Sequence, residues 1–148
     1  MLGADHTWSP EQVAELLGAG YSENLSSSRA TMWRDHGLVE FFWQRGGTRE
    51  PWEGTHFSVQ AHRLDDLESV NPVIRERYGA FPGPVAFDEV AALLTDRGVP
   101  LAEVPYPPDP DELRTYRQPG SHTMIYVVAG AYYGHVGDLY KVIGPGTP

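Results

Sequence analysis

Residues 55–64 alternate between apolar and polar side chains, and this alternation limits the possible folds more than any other feature of the chain. Phe57, Val59 and Ala61 share one side of the segment, and every residue between them is polar. Successive side chains of a strand point to opposite faces, so the segment predicts a sheet with one apolar face and one solvated face. The polar side of this strand consists of His56, Ser58, Gln60 and His62.

Further segments have the length and composition of strands. Asp35, His36 and Gly37 separate two of them, and an aspartate followed closely by a glycine favours a tight hairpin turn. Phe41, Phe42 and Trp43 are apolar on both faces, which predicts a strand that is central in the sheet or covered on both sides. The serine-rich segment 21–29 is expected to be a loop. The expected strands are 30–34, 38–44, 55–64, 101–106, 121–130 and 138–143.

A short helix is predicted directly after Ser9. Ser9 and Gln12 have the spacing of a capping box, and Pro10 occupies the first helical position. Other helical segments are expected at 72–78, 88–97 and 111–116. Together these features predict an α+β domain with a mainly antiparallel sheet of about five to six strands, a meander at its centre, and two to four short helices on one side.

The length of 148 residues predicts a single domain, 1–148, with residues 1–8 and 144–148 frayed at its ends. The first nine residues lack the basic start and apolar stretch of a secretory signal. No run of about 18 apolar residues is present that would span a membrane. We therefore expect a cytoplasmic protein without membrane association.

The charge balance and the residue types exclude several classes of function. Lysine and arginine number 11 against 20 aspartates and glutamates, and the net charge of −9 disfavours nucleic-acid binding. The chain has no cysteine, so it has no disulfide, no thiolate metal ligand and no cysteine nucleophile. His56 and His62 would lie roughly 20 Å apart along one strand, too far to share an ion. No metal and no cofactor are expected.

No catalytic motif is found in the chain. It contains no Gly-x-Ser-x-Gly elbow, no glycine-rich phosphate loop and no His-Glu-x-x-His pair. Its carboxylates cluster at loop ends and helix starts, where backbone N–H groups favour them for structural reasons. We therefore assign no catalytic residue, and an enzyme is not the favoured class.

Aromatic residues in proline-containing loops, together with nearby carboxylates, are typical of a protein-binding surface. The strong negative charge would also steer a basic partner towards such a surface. The expected partner-binding residues are Trp52, Asp65, Asp66, Tyr106, Asp109, Asp111 and Glu112.

Several segments between about residues 13 and 143 resemble small actinobacterial proteins that are classed with the immunity proteins of polymorphic toxin systems. The segments concerned are Leu16-Leu17-Gly18, 34–41 (RDHGLVEF), 59–64 (VQAHRL), 78–81 (YGAF) and 87–89 (FDE). The resemblance implies an α+β, non-enzymatic protein that neutralises a cognate toxin by covering its active site. It assigns no individual functional residue.

Two other classes of function remain open. A small-molecule site, enzymatic or sensory, would use the polar side of the strand at 55–64, and a concave pocket on that face would favour it. A structural or oligomerising subunit would instead bury its apolar outer faces in a dimer. The residues expected to line the alternative pocket are Glu40, His56, Ser58, Gln60 and His62.

Overall fold

A computed structural model describes residues 3–66, 68, 70–79, 81, 83–105 and 111–145. The α-helices are α1 (Pro10–Leu17), α2 (Pro72–Tyr78) and α3 (Phe87–Asp96). The strands are β1 (Ser22–Leu25), β2 (Thr31–Asp35), β3 (Val39–Gln44), β4 (Glu53–Val59), β5 (Ala102–Glu103), β6 (Leu113–Arg117), β7 (Met124–Val128) and β8 (Leu139–Gly144). A 3-10 helix, Ala61–Arg63, follows β4.

All eight strands form one open antiparallel sheet in the order β1-β2-β3-β4-β8-β7-β6-β5. Its two halves join where Val59 of β4 pairs with Val142 of β8. The α+β class is confirmed, but the sheet has more strands than the five to six expected. The expected meander is not confirmed for the whole sheet, because the connection from β4 to β5 crosses from the centre to the far edge and carries α2 and α3.

Three local predictions are wrong. The expected loop at 21–29 contains β1, an edge strand whose mostly exposed side chains leave no apolar alternation to detect. The helix expected at 111–116 is strand β6, in which buried Leu113 and Thr115 flank the exposed Arg114. The strand expected at 55–64 ends at Val59, and the 3-10 helix turns the chain away directly afterwards.

The helices cover one face of the sheet and form the core with it. Phe41 and Trp43 of β3 are almost fully buried and pack in one apolar cluster with Val13, Ile74 and Phe87 of the three helices. The predicted cap of α1 is confirmed, because Ser9 and Gln12 make both hydrogen bonds of a capping box. In the described part of the chain, no helix is long and apolar enough to cross a membrane.

The N-terminal segment also packs on this core. The indole Nε1 of Trp43 donates a hydrogen bond of 2.8 Å to the carbonyl oxygen of Trp8. Gly54, at the start of β4, is required by this approach, since a Cβ at that position would overlap the carbonyl oxygen of His6. The N-terminal segment and the three α-helices thus lie on the same face of the sheet, and they leave the opposite face uncovered.

Candidate functional site

The sheet face that the α-helices leave uncovered is concave and forms a cleft of about 930 Å³. Side chains and backbone from six strands line it, and so do Val104 and Pro105, which follow β5. Strands as far apart in the sheet as β2 and β6 can border one cleft only if the sheet is strongly curved. The cleft lies at the end of the sheet at which β3, β6 and β8 finish, here called the cleft end.

Three aromatic rings on neighbouring strands form a row in this cleft. Trp33 pairs with Phe42 across β2 and β3, and Phe42 pairs with His56 across β3 and β4. The ring centroids of Phe42 and His56 are 4.3 Å apart with nearly parallel planes, and those of Trp33 and Phe42 are 6.3 Å apart. Stacking across the strands holds the three rings in fixed orientations. We call these three residues the aromatic row.

The hydrogen bonds of His56 determine which of its ring nitrogens carries the proton. The hydroxyl of Thr55 donates to the carbonyl oxygen of Phe42 at 3.1 Å and lies 3.0 Å from Nδ1 of His56. Since its single hydrogen is already used, that hydroxyl accepts from Nδ1, which leaves Nε2 unprotonated. Burial, and then the charge of Lys141, lower the pKa of His56. His56 is therefore a neutral hydrogen-bond acceptor near neutral pH.

Arg117, at the end of β6, supplies a positive charge to the cleft. Its Nη2 donates a hydrogen bond to Nδ1 of His122, and both residues line the cleft. His122 has a positive φ of 56° in the turn between β6 and β7, a conformation that is uncommon for residues other than glycine. The turn thus holds the imidazole where it can orient the guanidinium.

Carboxylates are absent from the described lining of the cleft, although the chain contains 20 of them. Lys141 adds a further cation beside it, since its ammonium lies 5.2 Å from the ring centroid of Tyr126 in the cleft wall. The cleft is therefore an apolar and locally basic site within an acidic protein.

At the opposite end of the same face, polar side chains hydrogen-bond to one another. Glu40 accepts from the hydroxyl of Ser58 at 3.0 Å and from the amide of Gln60 at 2.6 Å. The Gln60 amide also donates to Ser58 at 2.8 Å. Ser58 and Gln60 are buried and Glu40 is mostly buried, so the three groups satisfy one another inside the protein.

Arg63 completes this arrangement from the 3-10 helix. Its Nη1 lies 2.9 and 3.0 Å from the two carboxylate oxygens of Asp35 and donates to the carbonyl oxygen of Gly37 at 2.6 Å. Its Nη2 lies 3.4 Å from Glu40. Arg63 therefore ties the turn between β2 and β3 to the end of β4. We call Asp35, Glu40, Ser58, Gln60 and Arg63 the polar network.

The five residues expected to line an alternative pocket are divided among three places. Glu40, Ser58 and Gln60 belong to the polar network, and His56 lies in the cleft. His62 stands apart because β4 ends before it. Its ring stacks on Tyr140 at 4.4 Å, its Nδ1 lies 3.1 Å from the carbonyl oxygen of Tyr140, and burial lowers its pKa.

The expected partner-binding residues lie at both ends of the sheet. Trp52 precedes β4 at the cleft end, where it packs on the core beneath the guanidinium of Arg45, 4.1 Å from its ring. Asp65, Asp66 and Asp111 are exposed at the other end of the sheet. Tyr106 and Asp109 lie outside the described residues.

Glu112 anchors the loop between β7 and β8. Its carboxylate accepts a hydrogen bond of 2.9 Å from the backbone N–H of Tyr132. Tyr132 itself is 81% exposed and makes an edge contact with Tyr133, which in turn packs on Tyr140. The loop therefore presents an aromatic surface close to the carboxylate of Glu112.

Four residues of the cleft were not predicted from the sequence as site residues: Phe42, Arg117, His122 and Tyr126. One signal for the cleft was present, because β3 is apolar on both faces although only Phe41 and Trp43 belong to the core. Phe42 faces the cleft instead. No comparable signal marked Arg117, since its position in the cleft depends on the curvature of the whole sheet.

No protein-family model, curated protein or solved structure significantly matches this chain. Among the described residues, no group of three histidine, aspartate or glutamate side chains is arranged to hold a metal ion.

Proposed function

We propose that this protein is a ligand-binding domain that holds a small, largely apolar molecule in the cleft of its concave sheet face. The observation that carries the proposal is the open cleft of about 930 Å³, whose aromatic row lies outside the core. Ligand sites are typically apolar clefts of roughly 300–1,000 Å³ with a few polar groups that orient the ligand. Here His56 and Arg117 are such polar groups.

The arrangement of the two sheet faces supports this proposal. The helix-covered face already buries Phe41 and Trp43, whereas Trp33 and Phe42 on the other face remain partly exposed. Removing apolar surface from water contributes about 25 cal/mol per Å², so a ligand that covers the aromatic row gains free energy from the hydrophobic effect. The rings are already stacked, so little ordering is required when the ligand binds.

Titration with the neutral fluorophore phenylnaphthylamine tests the proposal. We expect saturable one-to-one binding to the wild-type protein and at least about tenfold weaker binding to Phe42→Gln, because the polar amide replaces the centre of the aromatic row. Tyr132→Gln is the matched control, since it removes an exposed ring outside the cleft lining. Its affinity should equal that of the wild type.

Two results would overturn the proposal: no saturable binding of this probe or of its sulfonated analogue to the wild-type protein, or equal binding by Phe42→Gln. Urea unfolding checks that each variant is folded. Ile143→Gln, on β8 within the same cleft, provides a second variant if Phe42→Gln does not fold. The same loss of binding is expected for it.

The surface around Tyr132 supports a second candidate function, a protein-binding surface of the immunity type. Tyr132 is 81% exposed, and exposed tyrosines are frequent anchors of protein interfaces. The exposed carboxylates Asp65, Asp66 and Asp111 lie at the same end of the sheet. The charge of −9 would attract a basic toxin and accelerate its association.

Affinity capture with matched variants tests this second candidate. The wild-type protein should retain one basic partner in stoichiometric amount, and Tyr132→Ala combined with Asp65→Asn and Asp66→Asn should lose it. Arg114→Gln, which alters an exposed charge on β6, should retain it. A partner that is retained equally by all three proteins would argue against this surface.

A further inference from the structure

Arg117 differs from three other arginines that lie in the sheet or directly after β4. Arg34, Arg63 and Arg114 each form a salt bridge with a carboxylate, at 2.9, 2.9 and 2.8 Å. Arg117 forms none with any carboxylate in the described part of the chain, and its hydrogen bond there goes to His122. The guanidinium has five N–H donors, so this bond leaves further donors for a ligand.

The environment of Arg117 favours an anion. It is a partly buried cation in an apolar cleft, and a bound anion would form charge-assisted hydrogen bonds with it. The ammonium of Lys141 lies beside the cleft and forms no salt bridge within the described residues. No carboxylate in the described lining would repel a negative ligand. This charge pattern opposes that of the whole chain, whose net charge is −9.

The aromatic row favours a flat ligand body. Trp33, Phe42 and His56 have nearly parallel ring planes, within 17° and 11° for the two neighbouring pairs. Rings stacked face to face present their edges to the cleft, so a planar conjugated molecule can lay its own face across these edges with little loss of conformational freedom. The unprotonated Nε2 of His56 can also accept a hydrogen bond from a donor on that ligand.

We propose that the cleft binds a planar aromatic anion, with its ring body against the aromatic row and its anionic group paired with Arg117. The inference rests on the proposed ligand-binding function and adds the chemical class of the ligand. His122 acts as a positioning residue, because it accepts from the guanidinium and fixes its orientation. A neutral aromatic molecule would use the same cleft but would leave Arg117 without an anionic partner.

Two fluorophores that differ in one charged group test the ligand class. Anilinonaphthalene sulfonate carries the anion, and phenylnaphthylamine has the same ring system without it. We expect the sulfonate to bind the wild-type protein at least about tenfold more tightly than the neutral probe, and Arg117→Gln to remove this advantage. The affinity of the neutral probe for Arg117→Gln should change by less than about twofold.

Arg97→Gln is the matched control, since Arg97 directly follows α3 on the helix-covered side and the substitution changes the net charge equally. It should leave both affinities unchanged. The salt dependence of probe binding to the wild-type protein is a further test that needs no variant. The affinity for the sulfonate should fall as the salt concentration rises, and the affinity for the neutral probe should not.

The outcomes separate the inference from the proposed function. If both probes bind the wild-type protein equally and Arg117→Gln changes neither affinity, the anionic class is wrong and the ligand-binding cleft stands. If neither probe binds, the ligand-binding function itself is wrong. If Arg97→Gln weakens sulfonate binding as much as Arg117→Gln, the sulfonate affinity depends on the net charge of the protein and not on pairing with Arg117.

Discussion

The two ends of the uncovered sheet face differ in whether their polar and apolar groups have partners within the chain. At one end, Glu40, Ser58 and Gln60 hydrogen-bond to one another, and Arg63 holds Asp35. At the cleft end, the aromatic row is partly exposed and Arg117 has no described carboxylate partner. The first arrangement is complete without a ligand, and under the proposed function a ligand would complete the second.

This difference shows why polarity alone is a poor guide to a binding site. The polar network contains the residue types usually sought in an active site, yet its groups satisfy one another and stabilise the turn at Gly37. The cleft contains few polar groups, and these lie beside apolar surface. The structural role of the network and the proposed binding role of the cleft can therefore be separated by substitution.

The largest expected effect is the loss of stability on replacing Arg63 by methionine. Methionine keeps much of the apolar stem but removes the charge, which leaves the carboxylates of Asp35 and Glu40 partly buried without their cation. We expect the free energy of unfolding to fall by about 3 kcal/mol, measured by urea denaturation. Probe binding in the cleft should remain unchanged.

Arg114→Met is the matched control for this prediction. The salt bridge between Arg114 and Glu103 is about half exposed on both sides, so its loss should cost less than the loss of Arg63. Equal losses of stability in the two variants would contradict the special role of the polar network. Weakened probe binding in Arg63→Met would show that the two ends of the face are coupled.

A somewhat smaller change in the free energy of unfolding is expected from the protonation of His36, in the turn between β2 and β3. Its side chain is 1% exposed, and neither ring nitrogen has a hydrogen-bond partner among the described residues. Burial, and then the nearby charge of Arg34, lower its pKa from 6.5 to about 4, although the carboxylate of Asp35 opposes this. At a pH between 4 and 6.5, His36 is therefore neutral in the folded protein and protonated in the unfolded chain.

Because the unfolded state binds the proton more tightly, stability is full above pH 6.5 and is lost as the pH falls towards 4. Between about pH 7 and pH 5, His36 should account for a loss of roughly 2 kcal/mol in the free energy of unfolding. His36→Leu should reduce this loss, and His135→Leu, which alters an exposed histidine, should not. Equal pH dependence of His36→Leu and the wild type would refute the assignment.

Local signals in the sequence predicted the parts of the fold that depend on neighbouring residues. The cap of α1 rests on Ser9 and Gln12, three positions apart, and both hydrogen bonds are present. The alternation of β4 is confirmed from His56 to Val59, where Phe57 and Val59 pack on the core while His56 and Ser58 face the other way. These features follow from spacing alone.

Features that depend on distant contacts could not be predicted in this way. The cleft requires β4 to pair with β8 and the sheet to curve, which brings Phe42 and Arg117 to one site although they are far apart in the chain. Strand β6 lacked a visible period because Arg114 and Arg117 are charged, and its burial of Leu113 and Thr115 depends on neighbours in the sheet. The sequence therefore shows which residue types are present, but it does not show that these residues lie together at one site.

The smallest expected effect concerns His56 and sharpens the distinction between the two ends of the face. Burial and Lys141 keep the pKa of His56 below its usual range, and a bound anion would raise it again by attraction. The affinity for anilinonaphthalene sulfonate should therefore rise about twofold as the pH falls from about 7 to 6, with a smaller rise in His56→Gln. The neutral probe should show no such rise.

If the sulfonate affinity has the same pH dependence in the wild type and in His56→Gln, the anion does not lie near this histidine.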